Sequence, residues 1–581
     1  MGLSRVLVLA GMVLLASCGG GGGGGSGAAG DNTSSSDSDS MLRSAALQPI
    51  DNNDAYRFLT QATFGPTPDQ AAHLRAVGYA QWINEQFSAA PSSTHQATVL
   101  TSSTFLQRPH PMLDDVIRSW WTHAIKDDQS QLRHRVAFAL SEIFVVSTVT
   151  LDQGSMVASY MDMLTSHADG SYRDLLQAVA MHPAMGVYLS HLGNLKEDNQ
   201  GRVPDENFAR EVMQLFSIGL YELDDSGRPI LVNGKPVETY SAADVKGLAK
   251  VFTGFSWNRP SSKMGLGWWV CYYRGPDCQD ASQMTLPMSA YTEAHSTSVK
   301  QFLGVTIPAQ NPADPATSLK IALDTLANHH NTAPFISRQL IQRLVTSNPS
   351  PAYVADVTRV FRQSNGNLRQ VVTAILTHDE ARHPATAALS TYGKLREPLL
   401  RLTHLFRTIP HNSDCYNAGG AAPFYFAVDS SDPGTGLGQA PMRSPSVFNF
   451  FRPGYTPPQS SLSGAGLVAP EMQITSETSV LGYANFVSTI LDRGWGEWSY
   501  TFNRMDITFD LSGWMSVAGT STSLVDAVST KMLGKTLPAA ARSVALTAVD
   551  ALPSATTVQK RQRIEAAILM VALSPDFLIQ Q

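Results

Sequence analysis

The sequence predicts a mainly α protein: a multi-helix bundle or helical array with long irregular, aromatic-rich loops and little β structure. Three observations carry this. Apolar residues recur at helical spacing along most of the chain. Strictly alternating runs are few. The connections between periodic segments are short, polar and marked by helix caps and breakers.

The first residues are of another kind. Residues 1–18 read MGLSRVLVLAGMVLLASC, with Arg5 as the positive start and residues 6–15 as a short apolar run. That run is too short to span a bilayer, which takes about 20 apolar residues. It fits a secretory signal peptide. Its ending, Leu15-Ala16-Ser17-Cys18, resembles a bacterial lipobox. This predicts cleavage after residue 17 and lipidation of Cys18, with acyl chains contributing roughly 0.8 kcal/mol per buried CH₂. Residues 19–25 are all glycine and SGAAGDNTSSSDSDS follows. Without apolar bulk, residues 18–50 are expected to be a flexible tether of roughly 30 Å r.m.s. span.

About 530 residues follow, enough for more than one core. The expected organisation is a helical core over 51–410 with an inserted loop at 253–300. A Gly/Pro/aromatic-rich loop region follows over 411–467, and then a C-terminal helical region over 468–581 packed on the core. Within the core, Asp314-Pro315 opens a helix whose stripe is Leu319, Ala322, Leu323 and Leu326. Phe335, Ile336, Leu340 and Leu344 mark the next, Val354, Val357 and Phe361 a third, and Leu368, Val371, Val372, Ile375 and Leu376 a fourth. Hairpins are expected only near residues 222–239 and 268–273.

The chain has 42 Lys+Arg against 48 Asp+Glu, a net charge of −6 that becomes −7 when Arg5 leaves with the leader. No nucleic-acid groove or basic membrane-binding face is expected from this balance. Of four cysteines, Cys18 is assigned to lipid. Cys271 and Cys278, with six residues between them, suggest a small disulfide loop outside the cytoplasm. Cys415 is left over by count.

No HExxH, GxSxG, GxxxxGK[ST] or CxxC motif is present. The most informative segment is PDENFAREVMQLF, residues 204–216. As a helix it places Phe208, Val212, Leu215 and Phe216 on an apolar face and Asn207, Arg210, Glu211 and Gln214 along a polar one. A carboxylate held there can be a positioned base or a metal ligand. Equally, Asp205 can cap the helix, and Glu206 and Arg210 can form an ordinary i,i+4 pair.

This segment, NQGRVPDENFAREVMQLFSIGLYEL in full, resembles the signature of the bacterial domain-of-unknown-function 1800 family. The resemblance continues through RFLTQATFGPT, LRHRVAFALSEIFVVS, YSAADVKGLAKVFTGFSW and HSTSVKQFLG. It extends over HHNTAPFISRQLIQRLVTSNPSP, GKLREPLLRL and APMRSPSVFNFFRPGYTPP, nearly the whole mature chain. It implies an exported, mainly helical protein whose genes often neighbour those of an exported alkaline-phosphatase-like family. It implies no catalytic residues. The Cys271 loop and the glycine tract stand outside the pattern.

The candidate catalytic set is Glu206, Arg210, Glu211 and His295, and the candidate binding set is Asn207, Gln214, Lys300, His330, Arg443 and Arg452. His295 with Lys300 can bind an anion or move a proton, or His295 can simply bond to backbone. Asn331 or Thr332 is expected to cap the helix after His329-His330, and Ser241 with Asp244 reads as a capping box. Glu142 needs a partner such as Arg133 or Arg135, and Lys394, Arg396 and Glu397 read as a similar network. A metal held by Glu206, Glu211, His295 and His330 draws no support from spacing, and cofactors stay undecided.

Two functions follow as expectations. One is an enzyme in the periplasm or at the cell surface acting on an envelope or extracellular polymer. In it Trp257, Trp268, Trp269, Tyr272 and Tyr273 would stack on sugars and Arg443 and Arg452 would hold acidic groups. The other is a non-catalytic binding or assembly lipoprotein holding polysaccharide or an alkaline-phosphatase-fold partner.

Overall fold

The computed structural model describes residues 51–383, 389, 391–413, 424–499 and 503–581. The leader, Cys18, the glycine tract and Cys415 lie outside these residues.

Helices dominate, as the periodicity predicts. Asp51 caps α1 (Asn52–Ala62) by accepting the Asp54 N–H, and Thr67 caps α2 (Pro68–Val77), which has proline in its first turn. Gly78, at φ +83°, turns the chain directly into α3 (Tyr79–Ser88). Then come α4 (His95–Phe105), α5 (Leu113–Lys126), α6 (Gln131–Ser141) and α7 (Gly154–Ser166). Helix α5 is the centre of this layer: every residue from Asp115 to Ile125 is buried, including Trp120 and Trp121.

Helices α8 (Tyr172–Met181) and α9 (Pro183–Tyr188) lead to α10 (Asn207–Gln214), the predicted polar helix. A hairpin of β1 (Leu231–Val232) and β2 (Lys235–Pro236) follows where one is expected. Its turn residues Asn233 and Gly234 both have positive φ, the geometry an Asn-Gly pair favours. Helix α11 (Ala242–Ala249) starts with the predicted Ser241–Asp244 capping box.

The inserted loop contains β3 (Phe255–Ser256), α12 (Trp268–Tyr272) and β4 (Ser289–Ala290). The hairpin expected over 268–273 is therefore a helical turn. Trp268 and Tyr272 meet edge-on at 5.3 Å, an i,i+4 contact of the kind a helical turn provides. Cys271 and Cys278 are joined in a disulfide. With Tyr272, Tyr291 and Ala294 they form a small apolar cluster of their own.

Next are β5 (Lys300–Phe302) and β6 (Val305–Ile307), paired antiparallel. Gly247 of α11 lies so close to β5 that a Cβ there would sit 1.6 Å from the Gln301 carbonyl. The four predicted helices are α13 (Pro315–Asn328), α14 (Thr332–Leu344), α15 (Pro351–Gln363) and α16 (Leu368–Thr377). Every apolar residue assigned to their stripes is buried except Phe335, which is partly so. The short helix α17 (Asp379–Arg382), β7 (Lys394–Leu395), α18 (Pro398–Thr408) and β8 (His411–Ser413) complete this half.

The region expected to be loop holds the short α19 (Ser461–Gly464) and is bonded down onto the helices. Ser147 donates to the Ser444 carbonyl and Asn348 exchanges hydrogen bonds with Val468. Then follow α20 (Glu477–Arg493), β9 (Trp495–Ser499), β10 (Arg504–Phe509), α21 (Ser521–Leu533), α22 (Ala539–Asp550), α23 (Thr557–Ala572), α24 (Pro575–Leu578) and β11 (Ile579–Gln580). Strands β8, β10 and β9 form a small antiparallel sheet, and β11 pairs with β7. One continuous apolar core runs from Ala55 to Phe577. Among the described residues no helix is long and apolar enough to cross a membrane.

Candidate functional site

The sequence-derived candidates are held by different partners. On α10, Glu206 and Arg210 form an exposed i,i+4 pair at 3.2 Å. Asp205 accepts the Asn207 N–H at 2.7 Å, and the Asn207 side chain reaches Ser190 at 3.5 Å. Glu211 is buried. Desolvation raises its pKa, and its Oε2 has no hydrogen-bond partner among the described residues. Gln214 accepts from the Tyr240 hydroxyl at 3.2 Å.

His295 and Lys300 are fully buried rather than open to substrate. His295 Nδ1 bonds the Thr253 carbonyl at 2.8 Å and Nε2 bonds Ser318 at 3.1 Å. Burial lowers its pKa to about 4. Lys300 donates to the Ser296 carbonyl at 2.8 Å and to Gln310 at 3.0 Å, tying the loop to itself. Arg443 pairs with Asp429 at 3.2 Å, and Arg452 lies 4.6 Å over the Phe448 ring. Of the loop aromatics, Tyr272 packs inward, while Trp269 and Tyr273 remain exposed. The polar helix, the buried histidine–lysine pair and the two arginines each bond to partners of their own.

His330 has a different neighbourhood from the one its sequence suggests. Its Nε2 contacts the Glu222 carboxylate, and its ring stacks on His329 at 4.3 Å. Donor atoms of Glu222, His329 and His330 all lie within 4.8 Å of one another, a spacing that can hold a metal ion. Asn331 stands at the N-cap of α14, but contrary to expectation its side chain makes no capping bond. Instead it accepts the Leu223 N–H and donates to the Ile218 and Tyr221 carbonyls.

The predicted ion-pair networks merge into one sealed cluster. Glu142 does not pair with Arg133, which binds Asp169, or hydrogen-bond Arg135, which donates to the Arg343 carbonyl. It accepts from Asn449 at 2.9 Å and lies 3.9 Å from Arg343. Lys394 meets Glu471 at 2.8 Å and Glu397 accepts from Gln439 at 2.8 Å. Burial first, and the Glu397 charge second, raise the Glu142 pKa. This cluster joins α6, α14, β7 and the segment after α19, and no part of it is open to a ligand.

Three buried histidines were not anticipated. His95, His123 and His134 lie with ring centroids 4.2 to 5.8 Å apart around a cavity of about 20 Å³, room for about one water. Each already has a partner: Ser119 for His95 and His123, and Asp127 for His134.

An open site is found elsewhere. A concavity of about 750 Å³ is lined by α2, α3, the α5–α6 connection, the end of α18 and Lys531 of α21. Its floor is rigid. Arg407 donates to the Gly65 and Ile125 carbonyls, to Gln70 and to Asp128, so its guanidinium is fully committed. Gln86 donates to the Asp128 carbonyl and accepts the Leu132 N–H. On the rim His73 and Glu85 form a 2.6 Å pair. A second concavity of about 490 Å³ shares Pro68 and Lys531 with the first and continues past Asn52, Tyr56 and Asp526. Together they form a long groove across α1, α2, α3 and α21. No sequence signal marks it, because its lining comes from six separate stretches.

No curated protein and no solved structure matches the chain. The model of the family described as "Protein of unknown function (DUF1800)" matches residues 57–579, and the chain belongs to that family.

Proposed function

We propose that this is an exported lipoprotein, anchored to the cell envelope through Cys18, whose helical body binds a hydroxyl-rich stretch of an envelope or extracellular polymer. The groove across α1, α2, α3 and α21 is the observation that carries this reading. Its two parts are each of a size that holds a small ligand, and their continuity suits a chain better than a compact molecule. Most of its ionisable groups are paired, Asp128 with Arg407, Glu85 with His73 and Asp526 with Arg542, while Asp69 and Lys531 add one charge of each sign. Such a lining gives no strong pull on either charge, and it offers both donors and acceptors, which sugar hydroxyls use equally. Asn52 lies on the rim, so a tether from Cys18 would join the body beside the groove.

The proposal favours binding over catalysis, because the charged floor residues are committed to one another. An exported alkaline-phosphatase-fold partner, implied by the family resemblance, would act beside a polymer held in this way.

The test is co-sedimentation of the full chain, extracted in detergent, with insoluble neutral polysaccharides, alongside acidic polysaccharide and nucleic acid. The expected result is retention on a neutral polysaccharide that falls in a Gln129→Ala/Lys531→Ala variant, both being side chains on the groove wall. Retention on acidic polymer alone, or retention unchanged in the variant, contradicts the reading. For the anchor, Cys18→Ser is expected to abolish labelling by a fatty-acid precursor; persistent labelling refutes it.

A further inference from the structure

We infer that Glu222, His329 and His330 form a binding site for a divalent transition cation of the zinc class. The site does not depend on the polymer groove, and a failed polymer measurement leaves it untouched.

Two segments far apart in sequence bring the three groups together. Glu222 sits on a segment bonded alongside the β1–β2 hairpin, its N–H donating to the Val237 carbonyl and its carbonyl accepting from Ile230. His329 and His330 form the connection between α13 and α14. The Asn331 side chain clamps the two segments through three hydrogen bonds of 2.6 to 2.8 Å, one residue away from each ligand segment. From α15, Arg362 donates to the His330 carbonyl at 3.0 Å and pairs with Asp225 at 2.7 Å. The backbone beneath the ligands is thus held from both sides before any cation arrives, so binding asks only for side-chain adjustment.

The donor set identifies the cation class. Two imidazoles and one carboxylate suit zinc and its neighbours, whereas calcium and magnesium favour all-oxygen shells. The Glu222 carboxylate supplies the compensating charge. His329 is half-buried, its ring stacked on that of His330. Its Nδ1 lone pair now takes the Asn331 N–H at 3.2 Å, a long contact that a coordinate bond would replace. Three protein ligands leave a coordination position for water or a further donor, and His330 places that position at the exposed edge.

The full chain, stripped with a chelator, is titrated with Zn²⁺ by calorimetry and with Co²⁺ by visible absorption. One equivalent is expected, with a Co²⁺ spectrum of low coordination number. His330→Ala and Glu222→Gln are each expected to weaken binding about tenfold or more. Both side chains lie at the surface or its edge, and an unchanged circular dichroism spectrum reports an intact fold. Absence of stoichiometric binding overturns the inference. So does binding of equal affinity in His330→Ala, which would place the cation elsewhere.

Discussion

The Lys394 ammonium lies 2.8 Å from the Glu471 carboxylate, and neither side chain is more than 2% exposed. This ion pair locks the segment before α20 to β7, and with it the sealed cluster of Glu142, Arg343 and Glu397. Removing one member leaves the other charged and buried. Lys394→Met is expected to cost about 3–5 kcal/mol in urea unfolding, and Lys394→Met/Glu471→Leu to recover much of it. A double variant no more stable than the single one would show that the pair itself, rather than its broken half, is needed.

Stability is expected to form a dome with pH. Eight described histidines have lowered pKa values, chiefly from burial, among them His123, His191, His295 and His411 at about 4 and His182 at about 3. For these the unfolded chain binds more protons between pH 4 and 6.5, so their contribution is full above 6.5 and is lost on acidification. Glu142 and Glu565 act oppositely: burial raises both, Glu565 to about 7, so stability falls as pH rises from the ordinary carboxylate range through the raised values. In thermal melts the midpoint should rise to near neutrality and then decline. Glu142→Gln should flatten the alkaline decline, and an unchanged slope would remove Glu142 as its source.

The Cys271–Cys278 bridge closes a short loop at the foot of α12. Chain entropy for eight residues gives about 2.5 kcal/mol for such a link. Cys271→Ser/Cys278→Ser should increase proteolysis within residues 259–290 before it lowers the global melting midpoint. Equal proteolysis in the variant and the parent would show that Tyr272 and Tyr291 hold the loop without the bridge.

The histidine and the arginine singled out by sequence should differ in weight. Arg210→Ala removes an exposed pair, and a change within about 0.5 kcal/mol is expected. His295→Ala removes the bonds to the Thr253 carbonyl and to Ser318 and opens a buried space, so a loss of about 2–3 kcal/mol is expected. Denaturant unfolding compares the two directly, and the reverse order would mean that α10 carries the structural load.

What the sequence makes legible is local. The α13 cap at Asp314, the Ser241–Asp244 box and the stripes of α13 to α16 depend on neighbours within a turn or two. Residue type alone does not say whether a histidine faces solvent or a carbonyl, so His295 and Lys300 read as chemistry while the fold uses them as fasteners. The Trp268–Tyr273 stretch reads as strand from its aromatics, yet the Trp268–Tyr272 contact favours a helical turn. Lys394 with Glu471, Glu222 with His330, and the groove itself are long-range pairings, and periodicity carries no register across 70 residues or more.

Hydrogen exchange with and without a neutral oligosaccharide locates binding most directly. The account predicts added protection in α2, α3 and residues 526–531, with α10 and the Cys271 loop unchanged. Protection confined to α10 or to the exposed Trp269 and Tyr273, or no protection anywhere at saturating ligand, would contradict the groove as the binding site.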